Sequence, residues 1–249
     1  GKSDPADLRP RRGRAGIVLR VAYGESPARM NFCWSYSSLS LFTQCARKFH
    51  RLRILKDIVE PESRHLTYGK EVHKVAEEYG RDNKEIPEEH KFIKPHVDIL
   101  LGTKGDKFFE HKMALTSDLE PCDFEDKEAW WRGIADFISV NGKNALLVDY
   151  KTGKSAKYAD TKQLEILSLA IFKHFPKVEC VKGGLLFLVS EEFKKANFYR
   201  EEEEKYWSNW DTELERLNLS FEADTWNPTS NFTCRQFCPV LDCEYNGRG

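Results

Sequence analysis

No apolar run in this 249-residue sequence approaches the roughly 18 residues of a membrane-spanning helix, which excludes a chain passed through a bilayer by helices. Excess charge of either sign is missing too. The formal net charge is −1, so the overall balance does not mark a nucleic-acid binder, and a surface of that kind must be a local patch offset by acids elsewhere. Such regions exist: Arg47, Lys48, Arg51, Arg53 and Lys56 form a basic run, and residues 201–204 an acidic one. There is no internal repeat, no low-complexity tract and no helicase motif, which excludes a solenoid or a motor and leaves a stand-alone domain. The start lacks a secretory signal pattern. Seven cysteines, an odd number, then fit a reducing cytoplasm better than an oxidising compartment.

What is present describes an ordinary globular protein. Forty per cent of residues are hydrophobic and 12% aromatic, and the length suits one sizeable α/β domain with helical additions. Residues 1–34 are expected to form a basic, flexible arm: they carry Pro5, Pro10 and Pro27 beside Arg9, Arg11, Arg12 and Arg14, with little apolar periodicity. Met30 would serve as a natural alternative start, and part of the arm before it is expected to be a leader or added sequence. Residues 35–225 form the expected main domain, and residues 226–249 a cysteine-rich tail packed on it.

The most informative stretch is 130–154, two predicted strands joined by Asn141-Gly142-Lys143-Asn144, residues that tolerate positive φ at a hairpin tip. Strict alternation places Arg132, Ile134, Asp136 and Ile138 on one face of the first strand. On the second, Leu147, Asp149 and Lys151 share a face, opposite Leu146, Val148 and Tyr150. Two carboxylates and a lysine at neighbouring strand positions repel or compete unless something needs them, and a divalent cation such as Mg²⁺ is the economical occupant. A surface hairpin with solvated charges is the alternative.

Around it, Ser37 or Ser38 is expected to cap a helix striped by Leu39, Phe42, Cys45 or Ala46, Phe49 and Leu52. A helix over 66–81 buries Val72, Val75, Ala76 and Tyr79 and aligns Gly69, His73 and Glu77 at spacings of four. Glu77 either orients His73 or faces water. Residues 84–94 are polar, helical or loop-like, and 106–115 reads as a strand. Asp160 or Thr161 caps a helix striped by Leu164, Leu167, Ser168 and Ile171, with Gln163 in its first turn. The run 183–190 is a strand buried on both faces, 193–200 its neighbour, and 201–221 one helix with Trp207, Trp210, Leu214 and Leu217 inward.

Gly69-x-x-x-His73, Gly133-Ile134-Ala135-Asp136, Asp149-Tyr150-Lys151 and Gln163 opening a helix occur in the order that the RecB-like branch of the PD-(D/E)XK nuclease superfamily uses. The chain resembles that family over about residues 35 to 245. The resemblance implies a restriction-endonuclease-like α/β core, a mixed central sheet flanked by helices, hydrolysing phosphodiester bonds in DNA. It implies catalytic Asp136, Asp149, Lys151 and Gln163, with Mg²⁺ or Mn²⁺ held by His73, Asp136, Asp149 and the Tyr150 carbonyl. Glu110 stands where several relatives have an additional acid near the metal, although an edge-strand charge explains it equally. Leu167 departs from the tyrosine usual four residues after the glutamine, which puts one DNA contact in doubt. Cys234-x₃-Cys238-x₄-Cys243, together with Cys45, resembles the iron–sulfur staple of some relatives and implies a [4Fe–4S] cluster, with zinc or unliganded thiols as alternatives. The implied function is a DNA exonuclease of recombination, repair or viral DNA metabolism. An endonuclease, an RNA-directed nuclease and a non-catalytic DNA-binding assembly subunit are the rival functions.

Overall fold

The computed structural model describes residues 32–60, 62–157 and 159–247. Of the arm expected over residues 1–34, residues 1–31, with Met30 and the clustered arginines, lie outside the described residues, whereas Trp34 is buried and bridges to Trp131. Six strands build one sheet: β1 (Asp106–Leu115), β2 (Pro121–Cys122), β3 (Trp131–Asn141), β4 (Asn144–Lys151), β5 (Cys180–Phe187) and β6 (Glu192–Tyr199), in the order β2-β1-β3-β4-β5-β6. Only β4 and β5 run parallel; every other neighbouring pair is antiparallel. The sheet is mixed and flanked by helices, the expected architecture. A parallel pair needs a crossover. The helix Lys162–His174, which lies between β4 and β5 in the chain, supplies it.

The helices are α1 (Tyr36–Gln44), α2 (Ala46–Phe49), α3 (Arg64–Asp82), α4 (Lys94–Leu101), α5 (Lys162–His174), α6 (Glu203–Ser208) and α7 (Asp211–Glu222). One core lies between the sheet and α5, α1 and α7. There Ile138, Leu147, Val181 and Leu185 meet Leu164, Leu167 and Ile171, with Leu39, Phe42 and Leu217 beside them. The second lies on the opposite face, where Phe137, Val148 and Tyr150 meet Val72 and Ala76 of α3 and Val97 and Leu100 of α4. Each fully buried aliphatic side chain contributes roughly 1.5–3 kcal/mol, and these two clusters hold α3 and α5 on opposite faces. Helix α4 has no counterpart in the sequence expectations, which passed from residue 94 to the strand at 106; it closes the second core.

Several local expectations change. Ser35, not Ser37 or Ser38, caps α1: its Oγ accepts from Ser38 N at 3.2 Å, and the Ser38 Oγ accepts from Ser35 N at 2.8 Å, a reciprocal capping box. The expected continuous stripe stays buried, but the helix breaks at Cys45, whose backbone is extended, and resumes as α2 and a widened π turn over His50–Leu55. The helix expected over 201–221 is likewise two pieces. Trp210 N bonds to Trp207 O at 2.9 Å in a tightened turn while the Trp210 ring is buried against Trp34, so the chain bends to seat the indole. The face shared by Arg132, Ile134, Asp136 and Ile138 also fails at its end: Ile138 belongs to the α5 core, whereas Asp136 faces α3. The cause is an irregularity across β1 and β3. Glu110, which would pair with Asp136, has φ +46°, outside the range of a strand, and the register runs on unchanged either side of it. At that point the alternation skips: Phe109 belongs to the α3 core and Glu110 meets His73 and Asp136 on the same side, while Phe108 and His111 pack together on the other.

The tail is not held by cysteines alone. Trp226 stacks on His50 with centroids 4.6 Å apart and planes 5° from parallel, and it also packs against Phe49 and Phe221. Val240 and Asn246 are buried, and Asn246 Nδ2 donates to Cys238 O at 3.0 Å. The basic run is occupied by these contacts. Arg47 pairs with Glu244 at 2.5 Å, Arg51 with Asp242 at 2.8 Å and Asp57 at 2.7 Å, and Lys48 with Glu60 at 2.6 Å. Three of its five cations therefore fasten chain segments together instead of forming an open patch.

Candidate active site

The site forms where β3 and β4 part. From the tip, at which Gly142 takes φ +60°, the strands pair from Asn141↔Asn144 to Phe137↔Val148. At the far end of the same edge Trp34 bridges to Trp131, with Arg132 N donating to Trp34 O at 2.9 Å. Residues 133–136, the Gly-Ile-Ala-Asp stretch, lie in the gap between these two partners. The Asp136 side chain explains why the ladder ends there. Its Oδ2 accepts the Tyr150 N–H at 2.6 Å, replacing the backbone partner that a continued strand pair would have provided. Gly133 is needed in this gap: a Cβ there would lie 2.5 Å from the Trp131 ring and 3.1 Å from Leu167 Cδ2. Leu167 thus fills the core beneath Gly133.

Asp136 and Asp149 are 7% and 2% exposed, burial that carboxylates rarely tolerate without compensation. From α3, His73 Nδ1 lies 3.3 Å from Asp136 Oδ1. One ligand atom each from His73, Glu110 and Asp136 fall within 4.8 Å of one another. From the α5 side, Lys151 Nζ stands 2.6 Å from Asp149 Oδ2, an ion pair out of line for a hydrogen bond, and donates to Gln163 Oε1 at 2.8 Å. His73, Asp136, Asp149, Lys151 and Gln163 therefore converge from α3, β3, β4 and α5. Tyr150 contributes backbone only, since its ring is buried beside His73. Gly69 comes close to the strand end, a Cβ there meeting Thr152 Oγ1 at 3.4 Å. Glu77 pairs with Arg81 instead of His73.

Glu110 is the acid that the sequence left undecided. Strand β2 covers β1 only at Ala114 and Leu115, so Glu110 lies on the outer edge of the sheet, yet it is half-buried and grouped with His73 and Asp136. Burial, followed by the negative charge of Asp136, pushes its carboxyl up to about 7. Asp149 is pushed up by burial and by Asp136, against the opposing pull of Lys151. For His73 burial alone would lower the pKa, but the bond to Asp136 and the charges of Asp136, Asp149 and Glu110 outweigh it and raise it. Acids that resist ionisation, crowded around an imidazole, are the electrostatic signature of a place for a cation.

Cys45, Cys234, Cys238 and Cys243 line one small cavity between the start of α2 and the tail. Donors face the sulfurs: Thr229 N to Cys45 Sγ at 3.5 Å, Asn231 N to Cys234 Sγ at 3.3 Å and Arg47 Nη1 to Cys243 Sγ at 3.9 Å. Among the described residues no three of the sulfurs lie within 4.8 Å of one another. Four thiolates about 2.3 Å from one zinc ion would be about 3.8 Å apart. Four cysteines around one cavity are a donor set that an iron–sulfur cluster or zinc accepts.

A family model described as the PD-(D/E)XK nuclease superfamily matches residues 33–244. No curated protein matches the sequence. Among solved structures, the crystal structure of SSO0001 is 13% identical, with 86% of this chain and 87% of that one covered and a TM-score of 0.45. A provisionally named exonuclease from Eubacterium rectale is 12% identical, with 92% and 91% covered and a TM-score of 0.47.

Proposed function

The chain belongs to the PD-(D/E)XK nuclease superfamily, and from that membership we propose that it is a metal-dependent exonuclease hydrolysing DNA from its ends. The observation that carries this reading is the convergence of Asp136, Asp149 and Lys151 in the gap between β3 and β4, with Gln163 on the lysine and His73 on the first aspartate. Asp136, Asp149, His73 and the Tyr150 carbonyl would hold Mg²⁺ or Mn²⁺, and Glu110 joins them. When bound, a divalent ion polarises the scissile phosphate, lowers the pKa of water and stabilises the departing oxygen. Lys151 positions or deprotonates the attacking water and offsets phosphate charge. Gln163 fixes the lysine through its Oε1, so the ammonium is aimed before substrate arrives. The water oxygen bonds to phosphorus, the P–O bond on the far side breaks, and the leaving oxygen takes up a proton. An imidazole in the ligand set suits Mn²⁺ somewhat better than Mg²⁺.

The metal requirement has a pH signature. Glu110 and Asp149 hold protons more tightly folded than unfolded, so the metal-free protein loses stability as pH rises from about 4 through about 7. His73, also raised, contributes stability at low pH that fades as pH climbs through its folded pKa, the same sign. A divalent ion takes the place of those protons. The gain in melting temperature on adding Mn²⁺ should therefore be larger near about pH 7.5 than near about pH 5.5. Equal gains at both would contradict the ligand assignment.

End dependence follows from the absence, among the described residues, of any added module for choosing an internal sequence. Linear DNA should be degraded progressively, whereas covalently closed circles at matched metal and salt should survive; salt is fixed because backbone contacts weaken as it rises. Efficient cutting of the circle would make the enzyme an endonuclease. Cys45, Cys234, Cys238 and Cys243 would hold a [4Fe–4S] cluster whose role is to fasten the first helices to the tail.

A further inference from the structure

A second group of metal-ligating side chains stands apart from both sites above. Glu71 lies on α3, and Glu89 and His90 lie on the 3₁₀ turn Glu88–Ile93 that precedes α4. One ligand atom from each falls within 4.8 Å of the other two. The two glutamates are exposed, while His90 is 3% exposed, and neither of its ring nitrogens has a hydrogen-bond partner. A buried imidazole with both nitrogens unsatisfied is costly. Its Nε2 nevertheless comes 3.1 Å from Glu71 Oε1, misaligned for a hydrogen bond. That spacing has another meaning. Ligand atoms about 2.0–2.2 Å from one tetrahedral zinc ion stand about 3.3–3.6 Å apart, close to the spacing found here. Among the described residues neither glutamate pairs with a lysine or arginine that would explain two acids meeting here.

We infer that Glu71, Glu89 and His90 form a binding site for a divalent transition-metal ion of the zinc type. One imidazole nitrogen and two carboxylate oxygens are a donor set that zinc accepts, with water completing the shell on the exposed side. The ion ties the turn Glu88–Ile93 to α3, two residues before His73. The site is separate from the Asp136 centre and its occupancy does not depend on the nuclease reading.

The test is zinc analysis of the full-length chain after equilibration with Zn²⁺ and gel filtration, comparing the parent with the Glu71→Gln/Glu89→Gln double variant. Both glutamates are exposed, so the variant is expected to fold, checked by circular dichroism. The parent should retain one more zinc per chain than the variant, and zinc should raise the parent's melting temperature more. DNA cleavage under Mn²⁺ should be unchanged. Should the double variant misfold, the single variants Glu71→Gln and Glu89→Gln are compared, and each should weaken the extra site at least tenfold. Equal zinc content in parent and folded variants would overturn the assignment.

Discussion

Asp149→Asn and Lys151→Ala should each lower the rate of DNA cleavage by about 10²–10³-fold or more, the loss expected when a group stabilising transition-state charge is removed. Asp149→Asn keeps the shape of a side chain 2% exposed and removes a charge that sits 2.6 Å from Lys151 Nζ. It should leave the folded spectrum and DNA binding intact while metal affinity falls. Lys151→Ala also frees Gln163 Oε1 from its 2.8 Å bond. Its loss should fall on the catalytic rate more than on binding. Single-turnover cleavage and a separate binding measurement distinguish the two effects. Undiminished, metal-dependent cleavage by both folded variants would remove these residues from the mechanism.

Replacing any one of Cys45, Cys234, Cys238 or Cys243 with serine should bleach an iron–sulfur chromophore and destabilise the protein, since binding free energy at a site formed on folding is also folding free energy. Protein purified without oxygen should be brown and hold about four irons per chain. Serine at Cys33, Cys122 or Cys180, none of which lines the cysteine cavity, should leave colour and iron unchanged. The tail should loosen without coming wholly free, because Trp226 remains stacked on His50 and Arg51 remains paired with Asp242. The carboxylate site stays chemically complete in these variants. Stoichiometric zinc with no iron would replace the cluster by a zinc staple, and neither metal would leave these cysteines without a ligand role.

Much of this arrangement was legible in local pattern. The strand Asp106–Leu115 and the hairpin around Gly142 follow from alternation and turn chemistry, and the apolar run expected as a strand at 183–190 forms β5, buried on both faces beside β4, although the strand ends at Phe187 and Val189 is exposed. Where the chain departs from period, local pattern misleads. The face of Asp136 depends on a skip in alternation that Glu110 introduces from a neighbouring strand, and on a hydrogen bond to Tyr150 N across the gap. Neither is visible within β3 alone. The same holds for the break at Cys45, where apolar spacing continues although the backbone turns extended, and for the bend at Trp210, set by what the indole meets. Glu110 gave no local signal, because its strand also carries Asp106, Lys107, His111 and Lys112. The partners of Arg47 and Arg51 lie almost two hundred residues away, which is why a run of cations read as a patch proves to be a set of fastenings.

This chain is expected to hydrolyse phosphodiester bonds only when a divalent ion is bound. The most direct measurement is release of label from end-labelled linear DNA, single and double stranded, by the purified full-length chain with Mn²⁺ or Mg²⁺ and with chelator, at one fixed salt concentration. Progressive release that requires the ion is the expected result. No cleavage of either DNA with either ion, or undiminished cleavage in chelator, would contradict it.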